Sequence, residues 1–188
     1  MLRRGLILAV LAAAGLCLMA CAGPRNTPSR IELPPLRLAP EALGRPLALQ
    51  QQLVFELQRH RQTLDALLEV DAEAVRLAVQ AMGRTGVTLH WDGMQLRQHR
   101  AEWLPQAVRG ERVLDDLQFA LWPAQAIRGV LPPGWTLKEE ATRRQLLLDG
   151  RAWLSIERDE DASHMRLWNL LEGYRLEIHS VPLEPVTP

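Results

Sequence analysis

The chain has 188 residues, about the length of one domain, and its 22 basic residues balance its 22 acidic residues. This balance leaves no basic excess of the kind that nucleic-acid binding requires. The two cysteines, Cys17 and Cys21, both lie near the N-terminus, which excludes a catalytic thiol, a disulfide or a cysteine-based metal site from the rest of the chain.

The N-terminus has the pattern of a bacterial signal peptide. Arg3 and Arg4 precede an apolar run, residues 5–18, which is shorter than the roughly 20 residues that a membrane-spanning helix needs. A short apolar run behind a basic start is typical of a cleaved secretory signal. Residues 18–21, Leu-Met-Ala-Cys, resemble a lipobox, so we expect residues 1–20 to be a lipoprotein signal peptide.

The lipobox resemblance implies that Cys21 is acylated and becomes the first residue of the mature chain. Removal of residues 1–20 leaves 20 basic and 22 acidic residues, a net charge of −2. Two or three acyl chains anchor a protein stably where one chain does not. Ala22 is not the aspartate of an inner-membrane retention signal, so we expect an outer-membrane lipoprotein that faces the periplasm. An ordinary signal peptide with a chance cysteine is the alternative.

Prolines dominate the segment that follows the lipobox. Prolines interrupt regular secondary structure and favour an extended, semi-rigid chain. Residues 21–46 contain Pro24, Pro28, Pro34, Pro35, Pro40 and Pro46. This segment is predicted to be a lipid-anchored tether, and the folded domain is predicted to span residues 47–188.

Alternating apolar residues predict strands through most of this domain. The alternation runs through residues 47–57 and continues in residues 63–70 and 75–81, where abundant leucine and alanine are also compatible with helix. Asp-Gly pairs at residues 92–93 and 149–150 lie between apolar alternations and predict two tight type I′ hairpins. About five strands are therefore expected on each side of the middle of the chain.

The middle of the chain, residues 104–131, predicts a helical insert. Apolar residues recur there with helical spacing, and Pro123 is expected to end or kink the first helix. Asp115 and Asp116 fall on the opposite side of this helix and are interpreted as its solvated edge. The predicted fold class is α+β: a curved antiparallel sheet, an unclosed half-barrel, with a helical lid inserted mid-chain.

This layout behind a lipobox resembles the lipoprotein-localisation carriers LolA and LolB. The resemblance implies a curved, unclosed antiparallel barrel whose helical lid covers a cavity for acyl chains. LolB is itself an outer-membrane lipoprotein, which agrees with the location that residues 18–22 imply.

Four sequence strings resemble a more specific family. They are LDALLEV at residues 64–70, HWDG at 90–93, LDDLQFALWP at 114–123 and GYRLEI at 173–178. Together they resemble the bacterial lipoprotein family of unknown function DUF3261, over about residues 45–181. This family is often encoded in gene clusters for aryl polyene pigments, which are lipids. The resemblance implies a fold and a location, and it supplies no catalytic residues.

No arrangement of catalytic or metal-binding residues stands out in the sequence. The five histidines are scattered without ligand spacing, and neither a Gly-x-Ser-x-Gly motif nor a glycine-rich phosphate loop is present. Arg143 and Arg144 are expected on opposite faces of a strand, as surface charges; contact of one of them with a lipid headgroup is the alternative. We therefore predict a protein that is not an enzyme and has neither metal nor cofactor; a hydrolase or dehydratase acting on acyl chains is the least favoured alternative.

The chain has six tryptophans against one tyrosine and two phenylalanines, an unusual ratio. Tryptophan is bulky and amphipathic, which suits a core and also the mouth of a ligand cavity. Core filling is the expected role of most of the tryptophans. The candidate ligand contacts are residues of the lid and of the hairpin strands. They are Trp122, Leu121, Leu117, Trp91 and Trp153.

These features predict an outer-membrane lipoprotein that binds a hydrophobic ligand, a lipid or an aryl-polyene-like molecule, in the half-barrel cavity. The protein would carry or insert this ligand at the envelope. The alternative is a non-catalytic envelope assembly or interaction lipoprotein with a filled core. The expected partners are the membrane, through the lipid anchor, the hydrophobic ligand and, in the alternative, an envelope protein; nucleic acid is not expected.

Overall fold

The computed structural model describes residues 31–104 and 108–183. Ten strands of this part of the chain form one antiparallel sheet. They are β1 (Leu47–Leu57), β2 (His60–Val70), β3 (Val75–Ala81), β4 (Arg84–Trp91), β5 (Leu96–Arg100), β6 (Trp135–Glu139), β7 (Arg143–Leu148), β8 (Arg151–Arg158), β9 (His164–Asn169) and β10 (Tyr174–Pro182). The order in the sheet is β5-β4-β3-β2-β1-β10-β9-β8-β7-β6, so β1 and β10 pair at the centre and the sheet is unclosed.

Two helices connect the edge strands β5 and β6. They are α1 (Gly110–Leu121) and α2 (Ala124–Val130), and Pro123 separates them because its ring cannot continue α1. Both lie within the helical insert predicted for residues 104–131. The antiparallel sheet with helices inserted mid-chain agrees with the predicted α+β class.

Among the residues that the structure describes, no helix is long and apolar enough to cross a membrane. The predicted signal peptide, residues 1–20, and the predicted lipidation site, Cys21, lie outside the described residues.

The strand interpretation of residues 63–70 and 75–81 is confirmed, because these residues belong to β2 and β3. Their alternating burial decides against helix: in β3, every second side chain from Val75 to Ala81 is buried. The turn at Asp149-Gly150 has φ values of 50° and 79°, the two positive values that a type I′ turn needs.

The hairpin predicted around residues 92–93 is confirmed, because β4 and β5 pair there, but its predicted two-residue type I′ turn is wrong. Four residues connect β4 to β5, and only Gly93 among them has a positive φ, 88°. The Asp92 Oδ1 atom accepts hydrogen bonds from the Met94 N–H at 2.9 Å and the Gln95 N–H at 2.7 Å. The aspartate side chain thus closes a longer loop in place of a two-residue turn.

The residues before β1 belong to the folded unit, which begins at Glu32. We call residues 32–43 the strap. Its leucines pack into the hydrophobic core: Leu33, Leu36, Leu38 and Leu43. The predicted tether, residues 21–46, is therefore wrong in its C-terminal part, and the domain begins before residue 47. Pro34 and Pro35 disfavour regular secondary structure, whereas Pro40 begins a short 3-10 helix, Pro40–Leu43. The leucines between the prolines still gain free energy from burial.

Hydrogen bonds connect the strap to one side of α1. The Leu36 N–H donates to Asp115 Oδ1 at 3.1 Å, and the Leu38 N–H donates to Gln118 Oε1 at 3.0 Å. The Gln118 amide returns a hydrogen bond to the Leu38 carbonyl at 2.7 Å. Because Leu36, Leu38, Asp115 and Gln118 are all buried, each of these bonds satisfies polar groups that water cannot reach.

Candidate functional site

A cavity lies between the sheet and α1. Six strands, β1–β4, β9 and β10, contribute side chains to its wall, so the sheet curves around α1. The helix contributes the face that carries Val113, Leu117, Ala120 and Leu121. Most of the wall is aliphatic; the polar exceptions are Gln51, Gln62, Arg109, Arg112, Asp116 and Tyr174.

The exposure of the wall changes along the central strands. Phe55 lies between Gln62 of β2 and Leu176 of β10 in the ladder, and all three side chains are half-buried. Two residues earlier on β1, Leu53 is buried, and Gln51 beyond it is buried too. The cavity is therefore open near Phe55 and closed near Gln51.

The cavity volume is about 130 Å³. An apolar protein cavity of about 150 Å³ binds benzene, whereas sites for drug-sized ligands have volumes of about 300–1,000 Å³. In this conformation the cavity therefore has room for an aryl ring or a short acyl segment, but not for a whole long-chain lipid.

A polar cluster forms one part of the cavity wall. The Arg112 Nε atom lies 3.1 Å from Asp116 Oδ1, and the Arg112 guanidinium lies 3.6 Å from Asp115 Oδ2. The Tyr174 hydroxyl donates a hydrogen bond to Asp116 from the facing strand β10. All of these groups lie in or beside an apolar wall, where ion pairs are weakly screened.

The interpretation of Asp115 and Asp116 as a solvated edge is wrong, since both are buried. Adjacent residues on a helix point about 100° apart. Asp115 therefore faces the strap, where Leu36 donates to it, while Asp116 faces the sheet and Tyr174. Both sides of α1 are covered, because the helix lies between the strap and the sheet.

Burial changes the pKa values of this cluster. Loss of hydration raises the pKa of the Asp116 carboxyl from 3.8 to about 6, although the Arg112 charge and the Tyr174 hydrogen bond oppose the change. Burial also raises the pKa of Asp115, against the charges of Arg112 and Arg37. The pKa of the Tyr174 hydroxyl is raised well above its usual range, by burial and by the adjacent Asp116 carboxylate.

We expect the Asp116 carboxyl to titrate with a midpoint near pH 6 in a carbon-13 NMR experiment. The folded protein then holds this proton more tightly than the unfolded chain, whose carboxyl titrates near 3.8. Asp116 therefore stabilises the folded state most below pH about 4, and this contribution is lost as the pH rises through about 6.

Asp71 is an internal control for this titration. A hydrogen bond from Arg76, with further bonds from the Glu73 and Ala74 N–H groups, lowers the pKa of Asp71 to about 2. The Asp71 signal should therefore stay constant between pH 4 and pH 7. An Asp116 midpoint near 4 would contradict the buried environment that the structure assigns to it.

Buried hydrogen bonds also fix the C-terminal end of α1. Arg144 on β7 donates to the carbonyl oxygens of Phe119 at 2.6 Å and Trp122 at 2.8 Å, and its Nε atom donates to Glu139 at 2.9 Å. The expected placement of Arg143 and Arg144 on opposite faces is confirmed, since Arg143 is exposed and Arg144 is buried. The interpretation of Arg144 as a surface charge is wrong, because the helices cover its face of the sheet.

Two of the five expected ligand contacts line the cavity. Leu117 and Leu121 belong to the face of α1 that points to the sheet. Trp153 on β8 does not line it, and its ring instead lies 4.2 Å from the Arg151 guanidinium. The helical spacing of the leucines identified the correct face of the lid.

Trp91 and Trp122 do not line the cavity either, and both are buried in the core. Their indole N–H groups donate to strap carbonyls, Trp91 to Leu38 at 2.8 Å and Trp122 to Ala39 at 3.0 Å. Trp122 follows the last residue of α1 with an extended backbone, which turns its side chain away from the leucine face. The prediction that Trp122 contacts the ligand is therefore not supported by its position.

We expect Trp122→Phe to reduce stability without changing ligand binding. The smaller ring fills less of the core and removes one of the two donors to the Ala39 carbonyl, the other being the Ala42 N–H. The free energy of unfolding should therefore fall by about 1–2 kcal/mol. Urea unfolding and the binding of a fluorescent fatty acid, measured on the same samples, separate the two effects. Loss of fatty-acid binding with unchanged stability would instead indicate that Trp122 contacts the ligand.

Part of the polar cluster could have been found in the sequence. Arg112 and Asp116 are four residues apart on a predicted helix, a spacing that places side chains side by side. Tyr174 is 58 positions away from Asp116 and joins it only through the sheet. No local sequence pattern predicts such a contact.

A comparison of the sequence with models of protein families identifies one family. Residues 48–182 match the model of DUF3261, a protein of unknown function. No curated protein sequence matches the chain significantly. The chain is similar to a solved structure of the MucA/MucB complex from Pseudomonas aeruginosa, at 17% identity and a TM-score of 0.39.

The similarity to that structure covers 80% of this chain and 56% of the other chain, so this chain spans little more than half of its length. A TM-score of this size does not establish a common fold. The family match, in contrast, covers most of the described residues. The chain therefore belongs to the DUF3261 family of proteins of unknown function.

Proposed function

We propose that the protein is an outer-membrane lipoprotein that binds a hydrophobic ligand between its sheet and α1 and carries or inserts it at the envelope. The cavity of about 130 Å³, with its mainly aliphatic wall, is the observation that carries this proposal. The lipobox-like residues 18–21 and the absence of aspartate at position 22 support the location. The layout of a curved sheet under inserted helices supports a relationship to the LolA and LolB carriers.

The size and chemistry of the cavity favour a particular kind of ligand. Its volume suits an aryl ring or a short acyl segment, and each buried CH₂ group contributes about 0.8 kcal/mol. The cluster of Arg112, Asp116 and Tyr174 would meet a polar group of the ligand. An aryl-polyene-like lipid, which the family resemblance suggests, combines an aromatic end with a long apolar chain.

Longer ligands require α1 to move. The strap holds one side of α1 through Asp115 and Gln118, and Arg144 holds its C-terminal end. Admission of a full acyl chain would separate the helix from the sheet while some of these bonds break. Release to a membrane would use the same movement, driven by competition from the bilayer.

Binding of fatty acids of increasing chain length to the delipidated protein tests the proposal. We expect the dissociation constant to fall about fourfold for each added CH₂ until the chain fills the cavity. A plateau at short chain length would show that α1 stays in place, and a continued fall would show that it moves. Absence of binding across all chain lengths and aryl compounds would contradict the proposal.

The alternative function is a non-catalytic assembly or interaction lipoprotein with a filled core. The small volume of the cavity favours it, because ligand sites are usually larger than about 300 Å³. Co-purification of an envelope protein in a fixed ratio, together with failure to bind any fatty acid, would support this alternative.

A further inference from the structure

Three donor side chains meet on the outer face of the sheet. His164 on β9 and His179 on β10 are direct partners in the ladder, and Glu177 lies two residues before His179. Side chains two residues apart on a strand lie on the same face. Ile178 between them lines the cavity, so the three donors project from the face opposite to the cavity.

The strand register brings the two imidazoles together. The Ser180 N–H donates to the Ser163 carbonyl at 2.7 Å, which makes the neighbouring pair, His164 and His179, a non-hydrogen-bonded one. Opposite side chains approach most closely at such positions. The two rings are stacked, with centroids 4.3 Å apart and planes inclined by 10°.

The Glu177 carboxylate lies beside both histidines. Its Oε1 atom is 3.1 Å from the Nε2 atom of His164 and 3.9 Å from the Nε2 atom of His179. The carboxylate turns to the histidines although its direct ladder partner is Arg166. Donor atoms on all three residues lie within 4.8 Å of one another.

These separations are close to those around a single ion. Donors on a tetrahedral zinc ion, at bonds of about 2.1 Å, lie about 3.4 Å apart. Tilting the stacked rings towards each other therefore brings both nitrogens and the carboxylate onto one centre. Each residue is at least partly exposed, so this adjustment leaves the core unchanged.

We propose that His164, Glu177 and His179 bind a zinc ion. Two imidazole nitrogens and one carboxylate oxygen form a donor set for borderline transition ions, whereas calcium and magnesium prefer oxygen donors alone. A water molecule completes a four-coordinate site.

Asp159 supports the proposal as a positioning residue. Its Oδ2 atom lies 3.5 Å from the Nδ1 atom of His164. A carboxylate at this nitrogen orients the ring and favours the tautomer that leaves Nε2 free for the metal. The arrangement of carboxylate, imidazole and ion is common around zinc in proteins.

The proposed zinc site is separate from the proposed ligand cavity, since the sheet lies between them. Sequence spacing alone does not reveal it: His164 and Glu177 are 13 positions apart, and the pairing of β9 with β10 brings them together.

Isothermal titration calorimetry of zinc chloride into the purified, chelator-treated protein tests the proposal. We expect one zinc ion to bind per protein chain. We expect His179→Ala and Glu177→Gln to weaken zinc binding about tenfold or more, and Asp159→Asn to weaken it about tenfold. His99→Ala, which removes an exposed histidine from β5, is the matched control and should bind zinc like the unchanged protein. Magnesium chloride should not compete.

Several results would overturn the proposal. They are the absence of a one-equivalent site in the unchanged protein, equal zinc affinity in His179→Ala, and an equal loss in His99→Ala. Glu177→Gln keeps the size of the side chain and removes only its charge. It therefore separates loss of a ligand from loss of folding, which circular dichroism of each variant monitors.

Discussion

The variant Arg144→Ala should be much less stable than the unchanged protein. The substitution leaves the Phe119 and Trp122 carbonyls without donors in the core and removes the buried partner of Glu139. Each buried group without a partner costs about 1–3 kcal/mol, so we expect the free energy of unfolding to fall by about 3 kcal/mol or more. Guanidinium unfolding followed by tryptophan fluorescence measures the loss.

Arg143→Ala is the matched control, one residue earlier on the same strand. Arg143 is exposed and pairs with Glu157, with its Nε atom 2.9 Å from Glu157 Oε1. Exposed ion pairs contribute little to stability, so this variant should unfold almost like the unchanged protein. Similar losses in both variants would contradict the role of Arg144 in holding the end of α1.

The variant Ala120→Phe should lose ligand binding and keep its fold. Ala120 is buried on α1 and lines the cavity, and the substitution adds a phenyl ring at that point. A ring of this size matches the benzene that a cavity of about 150 Å³ accepts, so it should occupy most of the available space. We expect affinity for short fatty acids to fall more than tenfold while the free energy of unfolding stays equal or rises by about 0.5–2 kcal/mol.

Gln125→Phe controls for the added ring without filling the cavity. Gln125 is exposed on α2, close in sequence to Ala120 but outside the cavity wall. Its variant should bind fatty acids as the unchanged protein does. Unfolding of Ala120→Phe by several kcal/mol would indicate that the space is already filled, which favours the assembly alternative.

The local pattern of the sequence was sufficient for most of the secondary structure. The alternation in residues 75–81 predicted β3, and the helical spacing around Leu117 with the break at Pro123 predicted two helices in the insert. These features depend on neighbours within a few residues, which periodicity reports directly. The loop at Asp92 departs from the predicted two-residue turn because the Asp92 carboxylate accepts hydrogen bonds from the Met94 and Gln95 N–H groups.

The candidate ligand site depends on contacts between distant parts of the chain, which the periodicity of the sequence does not predict. The prolines of the strap exclude strands and predict a tether, yet the Leu36 and Leu38 N–H groups donate to side chains about 80 positions away on α1. The strap covers Asp115. Its Leu38 and Ala39 carbonyls accept hydrogen bonds from the Trp91 and Trp122 indoles, which therefore lie outside the ligand site. A local pattern also does not show which face of β7 the helices cover. It therefore could not predict that Arg144 is buried.

Native mass spectrometry of residues 22–188, produced in bacteria and purified without detergent, tests the central claim most directly. The folded unit begins at Glu32, so this chain keeps all of it. The proposed function predicts a bound mass that organic solvent extracts, present in the unchanged protein and absent in Ala120→Phe. An unliganded mass that takes up neither added fatty acids nor aryl compounds would contradict ligand binding.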